Sequence, residues 1–248
     1  MKTRILFIVP ALLLLVYNCS KKTPDPVKNV IFGLTADSIK APADGTTIIH
    51  INCQLNGEAT LDRSSILFKS NVGDFVGSND TTLVQAAQFI NNTLVASVAL
   101  TVPQTPGILV ITAQPSLPGV PYSTYIISDT ITIYPSVPVT LQLVPSNSGI
   151  NSSYGSEVTF TGTLYNVDTG KVSLNYRVKF EDFLDGETSA GGAYRATDSL
   201  SDTSSQVSTI YSTGAYALGT RIHIRCTLLD SAGNKTPIAD SAYIYINK

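Results

Sequence analysis

From Val30 onward the chain is written in short runs of alternating apolar and polar residues, and no long stretch carries a helical period. The clearest run is Ile49-His50-Ile51-Asn52-Cys53-Gln54-Leu55. Successive side chains of a strand point to opposite faces, so Ile49, Ile51, Cys53 and Leu55 are predicted inward and His50, Asn52 and Gln54 outward. Val158 to Leu164 repeats the pattern, with Val158, Phe160 and Leu164 inward and Thr159, Thr161 and Thr163 outward. Ile222, Ile224, Cys226 and Leu228 do the same against His223, Arg225 and Thr227. Gly, Pro, Asn and Asp punctuate the runs. The pattern therefore predicts an all-β sandwich or barrel of antiparallel strands.

Landmarks recur along this pattern. Gly45 and Gly155, each opening a strong strand, lie 110 residues apart; Phe68 and Phe180 lie 112 apart, Gly107 and Gly219 112, Asp129 and Asp240 111. One order at nearly one spacing indicates a duplicated unit. Its length is that of an immunoglobulin-like sandwich, about 100 residues. Pro135-Ser136-Val137-Pro138 marks the joint, since two prolines stop a strand and stiffen the short connection between units. The expected organisation is a signal peptide over 1–18, a lipidated cysteine and tether over 19–28, and two tandem immunoglobulin-like β-sandwich domains over 29–135 and 136–248.

In the first unit, Ala43-Asp44-Gly45-Thr46-Thr47 leads into a strand, followed by Ile66-Leu67-Phe68, Gly73-Asp74-Phe75, and Gly107 ahead of Ile111-Thr112-Ala113. These runs resemble the bacterial Ig-like modules of invasins and intimins. The second unit keeps Gly155, Val178-Lys179-Phe180 and Gly219 but lacks the Ala-Asp-Gly-Thr-Thr run. The resemblance implies a fold and a surface setting. Its motifs are turn and core positions, so it transfers no binding site.

The first residues have a different character. Lys2 and Arg4 precede an apolar run from Ile5 to Val16, the length of a signal-peptide core and short for a bilayer span. Cys19 follows, with Val16 three positions before it. This resembles the lipobox of bacterial lipoproteins, and Tyr17 and Asn18 in place of small residues resemble its relaxed form in Bacteroidota. The resemblance implies cleavage before Cys19 and acylation there (palmitate among the acyl groups), because a single acyl chain gives only marginal membrane binding. The alternative is an ordinary signal peptide with an incidental cysteine. Ser20 to Lys28, with Pro24 and Pro26, reads as a semi-extended tether. The expected location is the cell envelope, lipid-anchored at the outer membrane on its outer or periplasmic face.

Charged residues make up only 14% of the chain against 43% hydrophobic, with Ser, Thr, Asn and Gly filling the difference. The net charge is −2, and without Lys2 and Arg4 the remainder carries 14 basic against 18 acidic residues, a net −4. Such a balance provides no general basic field and argues against a nucleic-acid partner. With Cys19 set aside, Cys53 and Cys226 belong to different units, so neither has a bridging partner in its own sandwich; both read as buried thiols.

Candidate chemistry is sparse. His50 and His223 fall on outward faces with no second ligand at metal spacing. No nucleophile motif and no phosphate loop is present, so no cofactor is expected apart from the covalent lipid at Cys19, and no enzyme activity. The acidic cluster Glu181, Asp182, Asp185 and Glu187 is the best ionic candidate. Asp182, Asp185 and Glu187 are possible Ca²⁺ ligands, but the spacing does not fit an EF-hand, and a solvated charged turn is the plainer reading. Tyr122, Tyr125, Tyr194, Tyr211 and Tyr216 are candidate contacts for a protein or glycan ligand, since exposed tyrosines bind at low entropy cost. Asp-Ser/Thr runs such as Asp37-Ser38-Ile39 and Asp240-Ser241-Ala242 resemble the O-glycosylation motif of Bacteroidota. These readings favour a non-enzymatic surface module for adhesion or spacing. A carbohydrate-binding accessory lipoprotein, which predicts a flat aromatic platform, and a structural subunit of an envelope complex are the rivals.

Overall fold

The computed structural model describes residues 30–56, 64–116, 126–153, 155–185, 188–196 and 198–247. All the regular structure it describes is strand. The first part of the chain forms β1 (Ile31–Ala36), β2 (Lys40–Ala43), β3 (Ile48–Leu55), β4 (Ser65–Ser70), β5 (Asp74–Phe75), β6 (Thr82–Ala86), β7 (Gln88–Ile90), β8 (Thr93–Thr101), β9 (Gly107–Pro115) and β10 (Ile127–Pro135). The second forms β11 (Thr140–Pro145), β12 (Gly149–Asn151), β13 (Glu157–Tyr165), β14 (Arg177–Phe183), β15 (Ala193–Tyr194), β16 (Asp198–Leu200), β17 (Gln206–Ser212), β18 (Arg221–Leu229) and β19 (Lys235–Asn247).

Each part is a sandwich of two sheets with the same topology. In the first, one sheet runs β1-β3-β8-β5, with β7 also on β8, and the other runs β2-β10-β9-β4-β6. In the second the orders are β11-β13-β17-β15 and β12-β19-β18-β14-β16. In both, the short strand β2 or β12 joins the second sheet in parallel with the last strand, β10 or β19. The all-β, two-sandwich, immunoglobulin-like expectation holds. The alternation that predicted β3 is realised residue by residue: Ile49, Ile51, Cys53 and Leu55 are buried, and the residues between them are exposed. Each sandwich closes on its own apolar core.

Register sharpens the internal repeat. Phe68 stands opposite Ala113 and Phe180 opposite Cys226, and both rings are fully buried, so this landmark pair is equivalent. The aspartates are not. Asp129 pairs with Ile111, whereas Asp240 pairs with Cys226, two residues out of step. The spacing of 111 reflects a slip between loops of unequal length rather than one shared position.

The two sandwiches meet through hydrogen bonds. The Ser173 hydroxyl donates to the Ala43 carbonyl at 2.9 Å, and its backbone N–H donates to the Ser136 carbonyl at 3.0 Å. The Ser136 N–H donates back to Ser173 Oγ at 2.9 Å. Gln104 donates through Nε2 to the Val172 carbonyl at 2.6 Å and accepts from the Leu174 N–H at 3.1 Å. Ser136 and Ser173 are buried. The loop over 171–174 is held from its own side as well, by Ser205 Oγ on the Val172 N–H and by Ser201 Oγ donating to the Ser173 carbonyl. The Ala43–Thr47 run brings the Ala43 carbonyl to this joint. Asp44 accepts from the N–H groups of Thr46 and Thr47, both at 2.8 Å, and from the Thr47 hydroxyl at 2.7 Å. Burial works to raise the Asp44 carboxyl, but these bonds outweigh it and hold the group below its ordinary value.

Candidate functional site

The tyrosines singled out by sequence go to different places. Tyr122 and Tyr125 lie outside the described residues, as do Cys19 and Glu187. Tyr211 is fully buried, which corrects its reading as a ligand contact. Its hydroxyl donates to Asp182 at 3.0 Å, and its ring lies 5.0 Å from that of Tyr194. Tyr194 and Tyr216 are half-buried and pack on the same core. Burial raises all three phenols, and the Asp182 charge adds to that. The physical reason appears on comparing the units. Tyr194 pairs with Tyr211 as Phe75 pairs with Leu100, so these tyrosines fill core positions that are apolar in the first unit.

The acidic cluster is also dispersed. Asp182 points inward, accepting from the Gly192 N–H at 2.6 Å and the Ser189 hydroxyl at 3.3 Å as well as from Tyr211. Glu181 points outward to Lys235 at 2.6 Å and Lys179 at 3.4 Å. Burial works to raise Glu181, but Lys235 and then Lys179 outweigh it and hold it low. Asp185 pairs with Arg221 at 2.7 Å. Strand alternation thus separates carboxylates that are neighbours in sequence. Among the described residues no group of three or more His, Cys, Asp or Glu is placed to hold a metal ion, and Asp182 and Asp185 of the Ca²⁺ reading are engaged apart, by Tyr211 and by Arg221. Cys53 and Cys226 are buried free thiols, each pushed up to about 12 by desolvation. His50 is exposed, with Nδ1 at 3.1 Å from Asp37.

What sequence reasoning missed is the outer face of β14, β18 and β19. Register places Phe183 opposite His223 and His223 opposite Tyr243, one aromatic per strand in a single row. The His223 and Tyr243 rings stack at 4.7 Å with 18° between their planes, and Phe183 lies 6.1 Å from His223. The Arg221 guanidinium caps the row over Tyr243 at 4.8 Å, and Arg225 caps the other end over Phe183 at 4.9 Å. Tyr245 stands opposite Arg221 in the next row. Tyr243 and Tyr245 are 44% and 45% exposed, while the alternate residues Ile222, Ile224, Ile244 and Ile246 are buried. The face lies at the end of the second unit away from the joint, because β14 leaves the joint at Tyr176 and ends at Phe183. Each strand showed its alternation in sequence, but only the cross-strand register brings the rings into one row.

Among the described residues no helix is long and apolar enough to cross a membrane. No family model matches the chain, and no curated protein matches it. Solved structures of similar shape include the Yersinia pseudotuberculosis adhesin InvE, 14% identical, with 89% of this chain and 61% of that one covered and a TM-score of 0.46. The D0-D1 domain of intimin is 16% identical over 88% of this chain and 99% of that one, TM-score 0.35. A glycosyl hydrolase family 2 member from Bacteroides cellulosilyticus is 13% identical over 86% of this chain and 24% of that one, TM-score 0.35. The chain thus spans less than two thirds of the InvE structure. The assignment of fold rests on the strand pairings themselves.

Proposed function

We propose that the chain is a non-enzymatic envelope lipoprotein, anchored through Cys19, whose two sandwiches form a short stiff stalk that presents a binding face at its far end. The observation that carries this reading is the joint. A spacer transmits position only if its modules do not hinge, and the Ser173–Ala43 and Gln104–Val172–Leu174 bonds cross the boundary, with Ser136 of the connection held by Ser173. Each such bond contributes about 1 kcal/mol net, and a buried donor or acceptor left without its partner costs about 1–3 kcal/mol, so bending the joint open is resisted. The order of the parts supports the same reading. The chain enters the first sandwich at Val30, beside Asn56, at the end opposite the joint, and the aromatic row lies at the far end of the second.

The test has two arms. Cys19→Ala should abolish metabolic palmitate labelling and release the protein from the membrane fraction, and protease treatment of intact cells should remove the labelled wild type. Spin labels placed one on each sandwich should give a narrow distance distribution that broadens in Gln104→Ala/Ser173→Ala. A wild-type distribution as broad as that of a flexible linker sinks the stalk, and unlabelled wild-type protein sinks the anchor.

A further inference from the structure

We infer that the outer face of β14, β18 and β19 binds a linear anionic polysaccharide, a polymer carrying carboxylate or sulfate groups at regular intervals. This deepens the reading of the chain as a binding module and rests on it.

Charge is the first observation. Arg177, Lys179, Arg221, Arg225 and Lys235 all project from this one face, alternating with buried Val178, Phe180, Ile222 and Ile224. The described carboxylates there are Glu181 and Asp185, with Asp230 lining the same groove as Arg177. Five cations against three carboxylates leave an excess of positive charge on a chain whose net charge is −2. A local basic face on an acidic protein draws a polyanion to that face and no other.

Shape is the second. Arg221, His223 and Arg225 follow one another at every second residue of β18. Successive positions on one face of a strand are about 6.7 Å apart, so the two guanidinium groups are rooted about 13 Å apart along a straight line. That suits an extended polymer with repeating charge better than a compact ligand. Between the guanidinium groups His223 stacks on Tyr243 and Phe183 lies tilted against His223, with Arg221 over Tyr243 and Arg225 over Phe183, while the exposed Tyr243 and Tyr245 are open to contact with sugar rings and hydroxyls.

The experiment uses the full-length chain, immobilised, with polygalacturonate and heparin as probes and dextran, double-stranded DNA and polyglutamate as comparators. Polygalacturonate, heparin or both should bind, and affinity should fall about tenfold between about 50 and about 300 mM salt if roughly two charges are neutralised. Arg221→Gln/Arg225→Gln should weaken binding about tenfold or more with the unfolding midpoint preserved, and Tyr243→Ala should weaken it by a smaller factor. Gln104→Ala/Ser173→Ala should leave affinity unchanged, so a flexible joint and an absent ligand site are told apart. No binding to either polysaccharide at low salt overturns the inference. So does equal binding of DNA or polyglutamate, or affinity indifferent to the two arginines.

Discussion

The two sandwiches share a topology but solve the same packing problem differently. In the first unit, Phe68, Phe75 and Leu100 meet at one end of an apolar core, with the Phe68 and Phe75 rings 6.3 Å apart. In the second, the equivalent places hold Phe180, Tyr194 and Tyr211, and Asp182 stands where the first unit has Ser70. The hydroxyl of Tyr211 and the carboxylate of Asp182 are acceptable there because they satisfy each other. A second exchange lies across the sheets. Cys53, Ala96 and Ala113 in the first unit correspond to Gly162, Val207 and Cys226 in the second. A Cβ at Gly162 would lie 2.9 Å from Val207 and 3.6 Å from Cys226 Sγ, so the volume lost at one residue is filled from the others. The lesson is that duplicated sandwiches keep summed volume and polar satisfaction while individual residues change.

This comparison can be broken experimentally. The largest effect should come from Tyr211→Ala, which removes a buried ring and one of the partners of Asp182. A loss of about 4 kcal/mol is expected, confined to the second unit's transition in urea unfolding of the full chain. Next, Tyr211→Phe should cost about 2 kcal/mol, because a buried carboxylate loses a hydrogen bond. The pair Tyr211→Leu/Asp182→Ser, importing the first unit's residues, should cost less than its two single changes summed. Additive losses would show that the Tyr211–Asp182 bond is not the coupling. Gly162→Ala should cost about 1–2 kcal/mol through overpacking, and adding Val207→Ala, as at Ala96, should recover part of it.

The smallest effect tests the turn that follows Ala43 at the joint. Asp44→Asn should cost about 1 kcal/mol at neutral pH. The folded carboxyl is held below its ordinary value, so its stabilisation is present above about pH 4 and is lost as pH falls through the lower folded value. Wild type and variant should therefore converge once the pH has fallen through the lowered folded value, and a difference that stays constant throughout the acid range would assign the loss to packing instead of charge.

Much of this molecule was legible along the chain, and the limits were physical. Period-two alternation identified β3, β13 and β18 and the burial of Cys53 and Cys226, since each strand carries its own face pattern. The same alternation could have removed Asp182 from the acidic cluster, because it follows inward Phe180 by two residues. Tyr194 and Tyr211 misled because tyrosine suits both a core and a surface, and a two-residue strand such as β15 has too little pattern to choose. The serines of the joint read as polar filler, although Ser136, Ser173, Ser201 and Ser205 are buried.

The sequence by itself determined the all-β class, the duplication and the inward set of the long strands, because those follow from local periodicity and recurring turn residues. Only the tertiary structure decided which strands lie side by side, and with what register. That decision set Phe183, His223 and Tyr243 in one row under two arginines, separated Asp182 from Asp185, and joined Ala43 to Ser173 across 130 residues. The physical reason is that cross-strand pairing and the contact between sandwiches join residues far apart in the chain, and loop lengths that shift register leave no periodic trace in the strands they connect.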